Sequence, residues 1–443
     1  MDLLGIFVML ILVFLTAILV VCSRLPTFVK QIICVALVLR VIGAALRYRI
    51  LFDFYTRGDA LRYYERGLAH AEAFRNLEFS ALLELVKTGD WGTPFLELLS
   101  GVVLTFLGTS LFAEFLVFAL GSLVGLICFG VAFQRSNPVS AWYKYLAVIM
   151  VFPSLWFWPA SVGKEATIML GLGISVMGFV GKDQKIQWPF MLGGGLLVYA
   201  VRPELAAVLA AAMLFSQWFS LTGRWTVQKV IQTVVFSAIA LYGLRFATSY
   251  MGIEEWGLEG VRSYVETDPS RRAMGRTNVT AIGISLLQTP LAAVNVLLRP
   301  FPWEVTNIMV LASSLEVIGF LILTVVRRRN LMRSLRHWRS DRLLRLAVIM
   351  TVLYPVALGM MVVNLGIIAR QRVLLYPFLF VLLEAQPRIE RASAKRRVLS
   401  VNAARTQFAI AGQAATTSDS LLAPRTSLSR TSIPVDSQAN TNG

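Results

Sequence analysis

The run Leu111–Phe133, LFAEFLVFALGSLVGLICFGVAF, decides the fold class, because Glu114 is its only charged residue and nearly all the others are apolar. It is long enough for a helix that crosses a bilayer, which needs about 20 residues. Similar runs recur along the chain, near 3–22, 31–51, 111–133, 141–159, 163–180, 189–201, 204–220, 229–248, 308–326, 344–366 and 372–386. This pattern predicts an all-α membrane protein with about 11 transmembrane helices.

The chain of 443 residues is 56% hydrophobic and 15% charged, and it carries a net charge of +17. In a soluble protein, such a charge would favour nucleic-acid binding. Here the arginines cluster between apolar runs and in the tail, as membrane topology alone requires, so we expect no nucleic-acid partner. All the cysteines lie inside apolar runs, which predicts neither disulfides nor a cysteine metal site.

The orientation of the helices follows from the arginines, because cytoplasmic loops are enriched in Lys and Arg. The segment 327–345 is dense in arginine, and the tail is basic again at 391–397. Both segments should be cytoplasmic, and the two apolar runs between them allow this. Working backward through the alternating loops, the sequence predicts an outer N-terminus and a cytoplasmic C-terminus.

These patterns divide the chain into six parts. They are two N-terminal spans (1–51), a first outer loop with juxtamembrane helices (52–110), a six-span core (111–248), a large outer loop (249–307), three C-terminal spans (308–386), and a basic and then disordered cytoplasmic tail (387–443). The apolar segment 94–108 is short, and we interpret it as a helix lying in the outer interface, although a spanning helix stays open. Arg202-Pro203 predicts a bent or discontinuous pair of helices, because proline lacks a backbone donor.

The most reactive-looking stretch is 53–67, DFYTRGDALRYYERG, where acids, arginines and tyrosines crowd beside a predicted membrane surface. A helix that begins near Asp59 would place Arg62 on the same face, at i,i+3. Asp59 is then either a reactive carboxylate, with Arg62 and Tyr63 in support, or the N-cap of a surface helix.

Other charged residues lie at the outer ends of predicted spans, where each has an ordinary alternative as an ion pair or as an interfacial side chain. Arg370 and Arg372 are the clearest anomaly, because the other short loops follow the positive-inside bias. The candidates for substrate phosphate binding are Lys164, Arg202, Arg299, Arg370 and Arg372, with Glu165 and Glu304 as supporting residues.

This set of cations predicts a phosphate or pyrophosphate ligand, because guanidinium groups bind phosphate oxygens in pairs and stay charged. A carboxylate beside a bound phosphate can deprotonate a hydroxyl nucleophile or hold a divalent cation. The sequence therefore assigns Asp59 as the catalytic residue and leaves a divalent cation open as a cofactor.

The order of motifs resembles that of integral-membrane glycosyltransferases of the C-type fold, which use polyprenyl-phosphate sugars. The resemblance covers about 52–180 and is carried by Asp59 with Tyr63-Tyr64, Gly92-Thr-Pro94 and Gly108-Thr-Ser110. It implies that Asp59 is the catalytic acid/base or a metal-linked carboxylate. The chain departs from the family in having Ala60 where a second acid is common, which leaves metal use open, and in having two spans before the loop.

Three further segments are similar to bacterial proteins of surface-polysaccharide production, including multi-spanning polymerases: 157–166, 299–304 and 370–372. The resemblance implies an enzyme of the bacterial cytoplasmic membrane that acts at the outer face on undecaprenyl-phosphate-linked or pyrophosphate-linked sugars. Its expected partners are the polyprenyl-linked sugar or oligosaccharide, membrane lipids and other polysaccharide-assembly proteins. A flippase-like transporter of lipid-linked saccharides and a non-catalytic assembly partner remain as alternatives.

Overall fold

A computed structural model of the chain describes residues 3–53, 58–137, 139–182, 185–219, 289–361 and 365–386, with isolated positions between 227 and 241. Within these ranges the regular structure is helical, and no strand is formed. The first eleven helices are α1 (Leu3–Cys22), α2 (Thr27–Asp53), α3 (Asp59–Arg75), α4 (Ser80–Thr88), α5 (Thr93–Leu107), α6 (Leu111–Ser136), α7 (Val139–Val151), α8 (Pro153–Phe157), α9 (Lys164–Val180), α10 (Trp188–Val201) and α11 (Pro203–Trp218).

The described C-terminal part is also helical. It comprises α12 (Thr289–Leu298), α13 (Ile308–Val326), α14 (Arg328–Arg336), α15 (Arg342–Met361), α16 (Leu365–Arg372) and α17 (Tyr376–Glu384). Short 3-10 turns lie at Pro302–Glu304 and Trp338–Ser340. The predicted span 229–248, nearly all of the loop 249–307 before α12, and the tail from 387 lie outside the described residues.

The described part of the chain is all-helical, as predicted from the sequence, and five of its helices are long and apolar enough to cross a bilayer. A sixth span is formed if α16 and α17, which meet at an angle of 51°, act as one broken span. The count of about 11 spans stays a prediction. Several of the other predicted runs form helices of 10–17 residues, such as α10.

Two of the predicted apolar runs are broken in the structure. The run 141–159 divides at Phe152 into α7 and α8, because Pro153 lacks the N–H that would continue the helix and instead starts a new one. The run 372–386 begins within α16, and its apolar part forms α17 from Tyr376. By contrast, the predicted break at Arg202-Pro203 is present, with α10 ending before Arg202 and α11 beginning at Pro203.

Glycines let α9 lie close to its two neighbours. A Cβ on Gly173 of α9 would lie 2.0 Å from the Gly125 carbonyl oxygen of α6, and one on Gly194 of α10 would lie 2.4 Å from the Ser175 backbone nitrogen of α9. Such approach of backbones is the usual way in which helices associate in a membrane. The packing fixes the N-terminus of α9, which carries Lys164 and Glu165.

Helix α5 packs against α3 through another glycine contact. A Cβ on Gly67 would lie 2.1 Å from the Ser100 hydroxyl, and one on Gly101 would lie 2.5 Å from the His70 Cβ. The Ser100 hydroxyl in turn donates a hydrogen bond of 2.5 Å to the buried Glu114 of α6. The predicted segment 94–108 is therefore a helix fastened to the loop helix α3, and its depth in the membrane stays a prediction.

The basic segment 327–345 meets the helix ends that lie farthest from Glu165. Arg342 donates to the Val180 carbonyl at the C-terminus of α9, and Arg345 donates to the Ser216 carbonyl near the C-terminus of α11. Glu165 occupies the other end of α9, about 22 Å away at 1.5 Å per residue. The helices thus have one arginine-rich end and one end that carries Glu165.

Candidate functional site

Asp59 and Arg370 form an ion pair between residues from opposite parts of the chain. The Arg370 Nη1 lies 3.5 Å from the Asp59 Oδ2. Asp59 is the first residue of α3, and Gly58 before it has no side chain to cap the helix. Its side chain is 66% exposed, whereas that of Arg370 is 25% exposed. The carboxylate is therefore open to an incoming molecule, while the guanidinium is largely enclosed.

Glu165 lies behind this pair and contacts two arginines. Its Oε2 lies 2.7 Å from the Arg370 Nη2, and its Oε1 lies 4.0 Å from the Arg202 Nη2. Only 4% of the Glu165 side chain is exposed. A buried carboxylate needs such partners, because an isolated charge in a medium of low dielectric constant is very costly. Glu165 therefore holds Arg370 and Arg202 in place.

Three more polar side chains interact with Glu165 or with one another. The Lys164 amine interacts with Asp59 and with Glu204, which follows the α10–α11 break. Tyr354 of α15 is buried and interacts with Glu165 and with Glu204. We use the name charged cluster for these residues together: Asp59, Lys164, Glu165, Arg202, Glu204, Tyr354 and Arg370.

Tyr63 forms one wall beside Asp59, one helical turn further along α3. It is 3% exposed, and its hydroxyl has a side-chain hydrogen bond with Thr93. Burial raises the pKa of Tyr63 to about 12, and the negative charge of Asp59 adds to this effect. Tyr63 therefore stays protonated at neutral pH, which makes its hydroxyl a permanent hydrogen-bond donor.

The α10–α11 break brings the loop before α5 to the charged cluster. The Gly92 N–H donates a hydrogen bond of 2.9 Å to the Ala200 carbonyl in the last turn of α10. Gly92 has a φ of 96°, a backbone conformation that favours glycine. Trp91 packs beside Tyr199 with a centroid separation of 6.2 Å. This attachment places Thr93, the partner of Tyr63, near the break.

Arg372 lies in a different environment from Arg370, although both were predicted to bind phosphate. Its side chain is buried, and its Nη1 donates 2.6 Å to the Arg299 carbonyl and 3.4 Å to the Leu297 carbonyl. It also lies over the Tyr376 ring, at 5.8 Å from the centroid. Residues two apart on a helix differ by about 200° in direction, so Arg370 and Arg372 face opposite sides.

Two other predicted cations have carboxylate partners of their own. Arg299 forms an ion pair with Glu304, whose carboxylate also accepts from the Phe301 N–H. Burial alone would raise the pKa of Glu304, but the hydrogen bonds from Arg299 and Phe301 and the charge of Arg299 hold it below its ordinary value. Arg62 pairs with Glu97 at 3.0 Å. These pairs fasten the segment before α13 and join α3 to α5.

The question of a metal ion was left open by the sequence. Among the described residues, no three His, Cys, Asp or Glu side chains come together in a group that would hold one. Within the charged cluster, Glu165 already contacts two arginines.

Two buried polar residues of the helices lie inside apolar runs, and the sequence predicted no role for either of them. Arg40 of α2 is 1% exposed and donates 2.8 Å to the Ser122 hydroxyl of α6. Glu114 of α6 is completely buried beside Ser100. Tyr354 was not predicted to belong to the site, since nothing in its apolar surroundings marks it.

The fold and the charged cluster define the class: the described residues form an all-helical protein with five or six helices able to span a membrane and an acid–arginine network at one end of its helices. Comparisons of the chain with protein-family models, curated proteins and solved structures give no match.

Proposed function

We propose that the protein is a membrane glycosyltransferase or polymerase that acts on sugars linked to a polyprenyl phosphate, in cell-surface polysaccharide synthesis. The observation that carries the proposal is the ion pair of 3.5 Å between Asp59 and Arg370, which joins an exposed carboxylate to an enclosed guanidinium. The carboxylate can serve as a general base, and the guanidinium can bind a phosphate oxygen.

The position of the charged cluster supports a reaction at the outer face of the cytoplasmic membrane. It lies at the opposite end of α9 from the contact between Arg342 and Val180. If the arginine-rich end is cytoplasmic, as the positive-inside bias indicates, Asp59 and Arg370 lie at the outer end. A lipid-linked sugar anchored in the outer leaflet would bring its phosphate to this level.

The proposed reaction is a substitution at the anomeric carbon of the donor sugar. The Asp59 carboxylate accepts the proton of an acceptor hydroxyl, and the hydroxyl oxygen forms the new bond to that carbon. The bond from the anomeric carbon to the phosphate oxygen breaks, and the phosphate leaves with the electron pair. Arg370 and Lys164 stabilise the negative charge on the leaving phosphate.

The existing ion pair suggests how binding and catalysis are linked. Before the donor binds, Arg370 contacts both Asp59 and Glu165. A donor phosphate is an alternative partner for Arg370, and it would compete with Asp59 rather than with Glu165, because Asp59 is the more exposed carboxylate. Asp59 would then be released to accept a proton from the second substrate.

The remaining predicted residues have other roles in this proposal. Glu165 and Arg202 position Arg370, and Tyr63 donates a hydrogen bond within the site. Arg372 and Arg299 stabilise the surrounding helices, because their described contacts are to backbone carbonyls and to Glu304 respectively. A divalent cation remains open as a further partner of Asp59 and the phosphate.

The test is the pattern of lipid-linked intermediates in a deletion strain complemented with variants. We expect Asp59→Asn and Arg370→Gln to accumulate undecorated acceptor or single repeat units, whereas the control Lys87→Gln, an exposed cation on α4, restores the product. Protein abundance is measured in each strain. Full product formation with Asp59→Asn would contradict the proposal.

A transporter of lipid-linked saccharides is the second candidate, and the helix breaks favour it. Arg202 lies at the break between α10 and α11, and Arg370 lies in α16, which meets α17 at 51°. Charged residues at discontinuous helices are typical of transporters. In that case the deletion strain would accumulate complete units on the cytoplasmic side. A non-catalytic assembly partner would instead show lower product together with lower abundance in proportion.

A further inference from the structure

The short helix α14 begins directly after a membrane-spanning candidate. Helix α13 ends at Val326, and α14 starts at Arg328. If α13 crosses the bilayer, α14 lies at the boundary between the membrane and water. Its sequence, RRNLMRSLR, alternates basic and apolar residues. Such composition is typical of helices that lie on a membrane surface.

One side of α14 faces the protein and the other is exposed. Ser334 is completely buried, and Leu331 packs against the hydrophobic core. Met332 and Leu335 are 64% and 40% exposed. At 100° per residue, the exposed positions form one continuous arc. We call this arc the arginine face, and it consists of Arg328, Arg329, Met332, Arg333, Leu335 and Arg336.

The charge of the arginine face is of one sign. The sequence has no Asp or Glu from 317 to 340. Arg327, which precedes α14, forms an ion pair with Glu384, with its Nε 3.1 Å from that carboxylate. The acid that follows, Asp341, is buried and accepts from the Leu343 N–H at the start of α15. Neither of these carboxylates belongs to the arc.

Aromatic side chains of the kind found at the membrane–water boundary lie close to α14. Arg339 lies over Trp338 at 5.3 Å and over Phe219 at 5.6 Å from the ring centroids. Trp218, the last residue of α11, is 51% exposed. Tryptophans are enriched where a bilayer meets water. The aromatic residues and the end of α13 therefore place α14 at headgroup depth by two independent features.

We propose that the arginine face is a binding site for anionic phospholipid headgroups. Met332 and Leu335 enter the acyl boundary, and Arg328, Arg329 and Arg336 contact the headgroup phosphates of the same leaflet. A lipid is favoured over an acidic protein segment because the face is continuous with a spanning helix and presents apolar side chains among its charges. This inference does not depend on the reaction at the charged cluster.

The test compares the full-length protein in nanodiscs of phosphatidylcholine with and without phosphatidylglycerol. Lipids that remain bound are counted by native mass spectrometry, and thermal unfolding is recorded in both lipids. The variant R328Q/R329Q/R336Q removes charge from the arginine face. The control R66Q/K87Q removes exposed cations from α3 and α4. A second variant, R328K/R329K/R336K, keeps the charge.

We expect the wild-type protein to retain phosphatidylglycerol in preference to phosphatidylcholine, and the triple Gln variant to lose this preference by about fivefold or more per arginine removed. The control and the triple Lys variant should keep it. Equal retention of both lipids by the wild type, or an equal loss in R66Q/K87Q, would overturn the proposal. If the triple Gln variant does not fold, the single variants R329Q and R336Q must each reduce the preference, and unchanged preference in both would overturn it.

Discussion

Glu165 and Arg370 form an ion pair of 2.7 Å between groups that lie mostly inside the protein. They come from α9 and α16, so their contact joins the middle of the chain to its C-terminal part. The same arginine extends to Asp59 at the surface. The Arg370 guanidinium is held by Glu165 on its buried side and is accessible beside Asp59, which suits it to bind a phosphate.

The coupling energy between Glu165 and Arg370 should exceed that of an exposed pair. We expect a double-mutant cycle of Glu165→Gln and Arg370→Gln to give a coupling of at least about 1.5 kcal/mol in the free energy of unfolding. The same cycle on Arg62 and Glu97 should give less than about 1 kcal/mol, because the Arg62 side chain is 66% exposed. Equal coupling energies in the two cycles would contradict the inference that Glu165 holds Arg370 in place.

Arg372 should affect stability rather than product. Replacement by Met removes its hydrogen bonds to the backbone before α13, and we expect unfolding free energy to fall by about 2–4 kcal/mol. Arg370→Gln, by comparison, should reduce transfer by more than its loss of abundance accounts for, because Arg370 both pairs with Glu165 and binds the donor phosphate. The measurement is thermal unfolding together with product analysis for both variants. An Arg372→Met protein of normal stability that makes no product would mean that Arg372 contacts the substrate.

Gly67 should tolerate no side chain. A Cβ there meets the Ser100 hydroxyl at 2.1 Å, so Gly67→Ala should force α3 and α5 apart and cost about 1–3 kcal/mol. Gly319→Ala is the matched control, because a Cβ on Gly319 meets nothing within 4 Å. Thermal unfolding of the two variants in the same detergent provides the comparison. Equal thermal stability of Gly67→Ala and Gly319→Ala would contradict this prediction.

Because of the Arg299–Glu304 ion pair, we expect the stability of the folded protein to depend on pH in the acid range. The pKa of Glu304 is lower in the folded protein than in the unfolded chain, where it is about 4.3. Its contribution to stability is therefore complete above that value and is lost as the pH falls through the lower folded pKa. We expect Glu304→Gln to destabilise at pH 7 and to approach the wild type as the pH falls through the lowered folded pKa of Glu304. A difference that is constant with pH would contradict this.

The sequence predicted much of the fold and a part of the site. Runs of apolar residues located most helices, and Pro203 located the break between α10 and α11. Asp59 and Arg370 were both singled out, and they do contact each other. Sequence alone could not tell Arg370 from Arg372, because the direction of a side chain around its helix depends on how that helix packs.

Other features were hidden for the same reason. Arg40 and Glu114 lie inside runs whose average composition is apolar, so their burial and their partners could not be predicted from composition. Glu165 was expected only to support the site, because its position at a helix start has an ordinary electrostatic explanation. Its contacts with two arginines arise from tertiary packing.

The most direct test of the proposed reaction is the rate of sugar transfer by purified protein in proteoliposomes, using a polyprenyl-phosphate-linked donor. Asp59→Asn keeps the size of the side chain but removes its charge and its capacity to accept a proton. We predict a rate at least about 100-fold below that of the wild type, with unchanged thermal unfolding. A variant that transfers sugar at the wild-type rate would contradict the assignment of Asp59 as the catalytic base.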